Sequence, residues 1–329
     1  MHFPRKRWRL ALMAVLAALA MSVAFAGHAL AAEPGEAGWW APESVGNQTL
    51  AAQGTISEAR NGGNLLDVWR GATNNQVWLS WNNGDPFSLF NPDGSPTATY
   101  VSPTVVAFGP SAFLVFHTGT DARIYYTVVS PSGGGWTWSG RWLSVPYQYT
   151  NMAVSVTPLG PGSANLYMVY HSASDDRVWG TAFVNGQGWG QTTNIAGGYS
   201  PSAPSVTFNP YNNHLFVAAR GEDNQVWMTN DIGGNWNSWQ ATGGGPTYVT
   251  PQIAALPDGN MLLAEVDNNT LYPNYRTYDS QGRPTGYWSP DITTWQTNFA
   301  VALSVAVSTV YVIMTGLDGR AWWKPAYQG

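Results

Sequence analysis

Four side chains able to form directional hydrogen bonds stand at the end of an apolar run, just ahead of a short polar turn. They are Arg70 in VWRGATN, His117 in VFHTGTD, His171 in VYHSASD and Arg220 in AARGEDN; two further copies carry Glu265 and Thr315 instead. Each of the four is followed along the chain by a tyrosine, in turn Tyr100, Tyr149, Tyr199 and Tyr248. Guanidinium and imidazole N–H groups are planar donors suited to ring hydroxyls, and an aromatic face covers the C–H side of a pyranose. A repeated set of donors beside tyrosines is therefore the mixture that binds saccharides. The turns end on a further aromatic, and Trp78, Trp179 and Trp227 are candidate pocket walls. An aromatic repeated at one strand position is first of all a packing residue between sheets.

Hydrolysis of a glycan asks for something else: two carboxylates about 5 to 10 Å apart in one pocket, or a metal. Glu222 and Glu265 are the best acid pair on offer, and Asp67 lies inside a strand pattern. No His, Asp or Glu group has metal-ligand spacing, there is no Gly-x-Ser-x-Gly elbow, and nothing calls for a cofactor. The stretch TNDIGGNW (229–236) nearly matches the Asp box, S-x-D-x-G-x-T-W, of sialidases and other propeller proteins. A single box in a turn has no partner acid or base, so Asp231 is expected to accept backbone N–H groups in its own turn while Trp236 packs between sheets.

The elements that position these residues follow from composition and repeat. Residues 1–32 have a basic start (Arg5, Lys6, Arg7, Arg9), an apolar run and a small-residue end, which predicts a secretory signal peptide and a secreted chain over 33–329. That segment takes four of the 14 Lys and Arg and none of the 19 acids, so the remainder carries a formal charge of −9. Such a balance disfavours nucleic acid, which needs a basic footprint, and no later segment is apolar enough to insert into a membrane. With no cysteine, the fold must rest on its core alone. Charged residues are only 10% of the chain, while Gly is abundant and aromatics make up 14%, which favours short strands and tight turns.

An aromatic entry recurs at Tyr100, Tyr149, Tyr199, Tyr248 and Phe299, at intervals of 49, 50, 49 and 51. In phase with it run NNQVW (74–78), DARIY (121–125), DDRVW (175–179), DNQVW (223–227), NNTLY (268–272) and DGRAW (318–322). Asn, Asp, Ala or Gly at the second place suits the positive φ of a hairpin turn. A period of this length in an all-strand chain predicts a β-propeller: all-β, six blades of four antiparallel strands. The sixth copy leaves no room for an outer strand, and Gly38-Trp39-Trp40 resembles one. The ring is therefore expected to be closed by the amino-terminal strand. Tyrosine entries and the turns after the second strands share one face, and the Asp box lies on the other.

The phrase RGEDNQVW, with a Trp-x-x-Trp strand, a Gly-Gly turn and a Thr-Pro entry to the next blade, resembles the Photorhabdus-type bacterial propeller lectins and, more distantly, six-bladed fungal fucose lectins. The resemblance implies binding of fucose or related sugars, as glycans or glycoconjugates, in repeated pockets between blades. The chain departs from the bacterial family in reading as six blades where that family is known for seven. A glycan-active propeller enzyme and a protein-interaction propeller stay open at this point. The placement of Glu222 and Glu265 separates enzyme from lectin.

Overall fold

The structure is a computed structural model that describes residues 54–290, 296–306, 309–317 and 321–328. These residues form six small antiparallel sheets arranged as a six-bladed β-propeller. Strands run in chain order from the axis outward. In blade 1 they are Ser57–Asn61, Asn64–Arg70, Val77–Trp81 and Phe87–Ser88. Blade 4 has Ser205–Asn209, His214–Arg220 and Val226–Ile232, then two short outer pieces, Asn235–Trp236 and Gln240–Ala241. Blade 6 shows three strands among the described residues, ending with Ala321–Gln328. The expected signal peptide and the closing strand around Trp39 and Trp40 lie outside the described residues.

The second strands read as continuous apolar runs because neighbouring blades cover both faces of each sheet. Phe113 to His117 is buried at every position. A hydrophobic cluster fills each interface, two of them between blades 5 and 6, and the outer-strand tryptophans reach back to the preceding blade. Trp142 Nε1 donates to Thr97 Oγ1 at 2.8 Å, Trp239 Nε1 to the Ile195 carbonyl at 3.0 Å, and Trp288 Nε1 to the Thr242 carbonyl at 3.3 Å. Large aromatics bury most area per residue, while the polar edge finds a partner across the seam.

Near the axis, innermost strands of adjacent blades neighbour one another in a closed cycle without sharing a ladder. Hydroxyls bridge the gap. Val105 N donates to Ser57 Oγ, Val206 N to Ser155 Oγ and Ile253 N to Ser205 Oγ, at 3.0 to 3.1 Å, and Thr104 Oγ1 donates to the Val154 carbonyl at 2.6 Å. These contacts satisfy backbone groups that the ladders leave open. Blade 6 meets blade 1 directly: Thr55 Oγ1 donates to the Ala300 carbonyl at 3.1 Å and Thr315 Oγ1 to the Gly54 carbonyl at 2.8 Å.

Candidate functional site

The turn after each second strand is the local unit of the site. In blades 1 to 4 its Asp or Asn accepts the backbone N–H two residues on and the polar edge of the aromatic four residues on. Asp223 Oδ1 takes Gln225 N at 3.0 Å and Trp227 Nε1 at 3.2 Å; Asp175 does the same for Arg177 N and Trp179, both at 3.2 Å; Asp121 takes the Tyr125 hydroxyl at 2.8 Å. The marker is a side-chain-capped turn that fixes an aromatic ring. Its left-handed residue is Asn75, Ala122, Asp176, Asn224 and, in blade 5, Leu271.

Strand register corrects two equivalences expected from the sequence. Arg70 pairs with Val77, His171 with Val178 and Arg220 with Val226, but in blade 2 it is Thr118 that pairs with Ile124. His117 lies one residue earlier, opposite Tyr125, in the row that holds Trp69, Tyr170, Ala219, Glu265 and Met314. One step of register moves a side chain to the other face of the sheet. The second correction follows from Leu271: Asn274, opposite Glu265, stands where the other blades have the marker aromatic, and Tyr272 belongs to the turn.

His117 is buried between Tyr125 (5.3 Å, stacked) and Trp142 (4.4 Å, edge-on), and burial pushes its pKa down to about 4. His171 is buried too, with Nε2 3.2 Å from Asp176 Oδ1; burial lowers its pKa although Asp176 opposes the shift. Trp78 and Trp179 pack against the clusters of the interfaces between blades 6 and 1 and between blades 2 and 3.

The row that contains His117 decides whether an interface is filled. Trp69, His117 and Tyr170 occupy it in blades 1 to 3, with the Tyr170 hydroxyl donating to Gln148 Oε1 across the seam. Blade 4 has Ala219, and here a cleft of about 350 Å³ opens between blades 3 and 4. Tyr199, Trp227 and Trp239 wall it, Glu222 and Asp223 supply acceptors, and Gly198 and Gly221 line it. A Cβ at Gly198 would lie 2.3 Å from Trp239 Nε1, and one at Gly221 2.7 Å from Trp227 Nε1, so both rings press on backbone. Aromatic faces beside converging carboxylates can hold a ring with one apolar side and several hydroxyls.

Arg70, Arg220, Tyr100 and Tyr248 lie elsewhere, around a mouth of about 410 Å³ on the axis where the inner strands begin. Tyr149 closes the outer strand of blade 2, with the Arg123 guanidinium 5.9 Å from its ring. Arg123 and Arg177 are residues that the sequence patterns did not single out; their signal is the place before the marker's apolar residue, where blades 1 and 4 have Gln76 and Gln225.

Glu222 and Glu265 do not share a described cavity. Glu222 lines the cleft between blades 3 and 4, whereas Glu265 is buried in blade 5, its Oε1 accepting Gly245 N at 3.1 Å. The carboxylates that are brought side by side are Glu58 and Asp67, partners across the first two strands; burial first, then Glu58, holds the Asp67 pKa well above its ordinary value. Asp231 Oδ1 accepts Gly234 N at 2.7 Å within its own turn, and Trp236 packs in the cluster between blades 3 and 4. Among the described residues no three His, Asp or Glu side chains group as metal ligands.

No protein-family model and no curated protein sequence matches the chain. Solved structures do. A triple-arginine mutant of AofleA from Arthrobotrys oligospora is similar with a TM-score of 0.63 at 11% identity, over 85% of this chain and 88% of that one. The lectin of Aleuria aurantia, described by its six-bladed β-propeller and novel fucose recognition mode, is similar with a TM-score of 0.55 at 12% identity, over 88% and 97%. Trypanosoma rangeli sialidase, solved with the inhibitor DANA, is similar with a TM-score of 0.54 at 14% identity, over 82% of this chain and 53% of that one. At these identities the likeness is one of fold: the chain has the six-bladed β-propeller architecture that the Aleuria aurantia lectin also has.

Proposed function

We propose that the protein is a secreted carbohydrate-binding lectin that takes a fucose-like or related monosaccharide in the cleft between blades 3 and 4. The observation that carries this reading is Ala219: a small residue in a row held in blades 1 to 3 by Trp69, His117 and Tyr170 leaves Trp227 and Tyr199 facing an open space. The sugar's C–H face rests on an aromatic ring, and its hydroxyls donate to Glu222 and to the remaining lone pairs of Asp223. Fucose recognition by the Aleuria aurantia lectin and the resemblance of RGEDNQVW to Photorhabdus-type lectins support the ligand class. A binding role is favoured over glycan cleavage because the carboxylate beside Glu222 in the cleft, Asp223, is held by its own turn, accepting Gln225 N at 3.0 Å and Trp227 Nε1 at 3.2 Å.

Titration calorimetry with free fucose and other monosaccharides, beside binding to the same sugars on a surface, tests the proposal. Trp227→Ala should weaken binding by about tenfold or more, a loss of about 1.4 kcal/mol. Ala219→Tyr, which copies Tyr170, should block the cleft and leave the melting temperature nearly unchanged. Absence of glycan binding in both formats would overturn the lectin reading.

A further inference from the structure

The axial mouth shares no lining residue with the cleft. We propose that it is a second site, selective for anions, which holds the carboxylate of a monosaccharide-sized acidic ligand against the guanidinium of Arg220.

Charge is the first reason. Arg70 and Arg220 both line the mouth, and no described lining residue is Asp or Glu, in a chain with more acids than bases. The two arginines come from blades 1 and 4, which are half a ring apart, so their fields add at the axis. The opposite end of the axis shows what a neutralised mouth looks like: there Arg60 Nε sits 2.9 Å from Glu58 Oε1. Like the mouth itself, the immediate contacts of Arg220 are without a carboxylate. Nη1 donates to Asn224 Oδ1 at 3.1 Å and Nη2 to the Pro201 carbonyl at 3.0 Å, both neutral acceptors that orient the group without cancelling its charge. Its Nε is buried with no acceptor. Burial also lowers the pKa of Arg220 from the ordinary arginine value, the mark of a cation short of solvation. A carboxylate restores what solvent no longer supplies, and guanidinium is its geometric match.

Shape is the second reason. A volume of about 410 Å³ suits a single small ring. Tyr100 and Tyr248, 65% and 59% exposed, stand at the rim with faces available to the ligand's apolar side. Arg123 and Arg177, by contrast, are occupied by Tyr149 and Tyr199 at their own blade edges.

Calorimetry on the full protein with glucuronate, glucose and citrate tests the site. Glucuronate should bind and glucose should not match it, with affinity falling as salt rises. Citrate reports whether a carboxylate outside a sugar ring is also taken. Arg220→Gln should reduce glucuronate affinity by about tenfold or more with little change in melting temperature, as expected for loss of a charge-assisted pair. Arg70→Gln, farther from the bound carboxylate, should lower it a few-fold and serves should the first variant fold poorly. Trp227→Ala should leave glucuronate binding within about twofold, while it weakens a neutral sugar in the cleft. Equal affinity for glucuronate and glucose, full retention in Arg220→Gln, or loss in Trp227→Ala would each overturn the proposal.

Discussion

Arg177 lies over the ring of Tyr199, 4.8 Å from its centroid, and donates to the tyrosine hydroxyl through Nη2 at 2.6 Å and Nε at 3.1 Å. This pair sorts the four repeated tyrosines into two kinds. Where the turn carries an arginine, in blades 2 and 3, the tyrosine that follows is held at the blade edge. Blades 1 and 4 have Gln76 and Gln225 there, and Tyr100 and Tyr248 line the axial mouth with Arg70 and Arg220. Blades with arginine and blades with glutamine at this place thus present their tyrosines on different surfaces.

Arg177→Ala should therefore release a wall of the cleft. The pair is exposed, so the stability change should stay below about 1 kcal/mol. Affinity for a cleft-bound monosaccharide should fall a few-fold, because Tyr199 must then be ordered by the ligand itself. Calorimetry beside thermal melting separates the two effects. A large melting shift with unchanged affinity would make the pair a structural clamp only.

Blade 6 has three strands among the described residues, and the expectation that residues near Trp39 and Trp40 add the fourth has a direct test. Deleting residues 33–45 should lower the melting temperature by many degrees, since it bares the edge of Ala321–Gln328 and removes two tryptophans. An unchanged melting curve would rule out amino-terminal closure.

Period and composition made the six blades legible, because the blades reuse a strand length, a polar turn and a packing aromatic at a near-constant interval. Turn chemistry made most of the markers legible for the same reason: Asp or Asn must accept the ring N–H or hydroxyl four residues on. What escaped was parity. His117 and Arg70 both precede a Thr/Gly turn, yet one extra residue places them on opposite faces of the sheet, and only pairing reveals it. In blade 5 the turn is longer by the same logic, so Asn274 and not Tyr272 takes the aromatic's place. Ala219 was equally silent, since an open site is marked by what a residue lacks.

Glu265 offers a sharp pH test of this row. Burial, with Asp267 adding to it, raises the carboxyl pKa from 4.5 to about 7, although the Gly245 N–H bond works in the other direction. The Gly244 backbone packs closely on the carboxylate, since a Cβ there would lie 2.5 Å from Glu265 Oε2. As pH rises from about 4.5, the unfolded chain gives up this proton while the folded chain keeps it. The folded state then binds more protons, so stability falls as pH rises through the window up to about 7. The full penalty above that window is on the order of 3 kcal/mol. His117 acts at the acid end with the opposite sign: burial lowers its pKa from 6.5 to about 4, and its contribution is lost as pH falls through that range. Glu265→Gln should raise the melting temperature at pH 8 and flatten its decline between pH 5 and 8, while leaving the acid limb in place. Melting curves across that range decide it: if the variant and the wild-type protein decline in parallel, Glu265 is not the group that titrates.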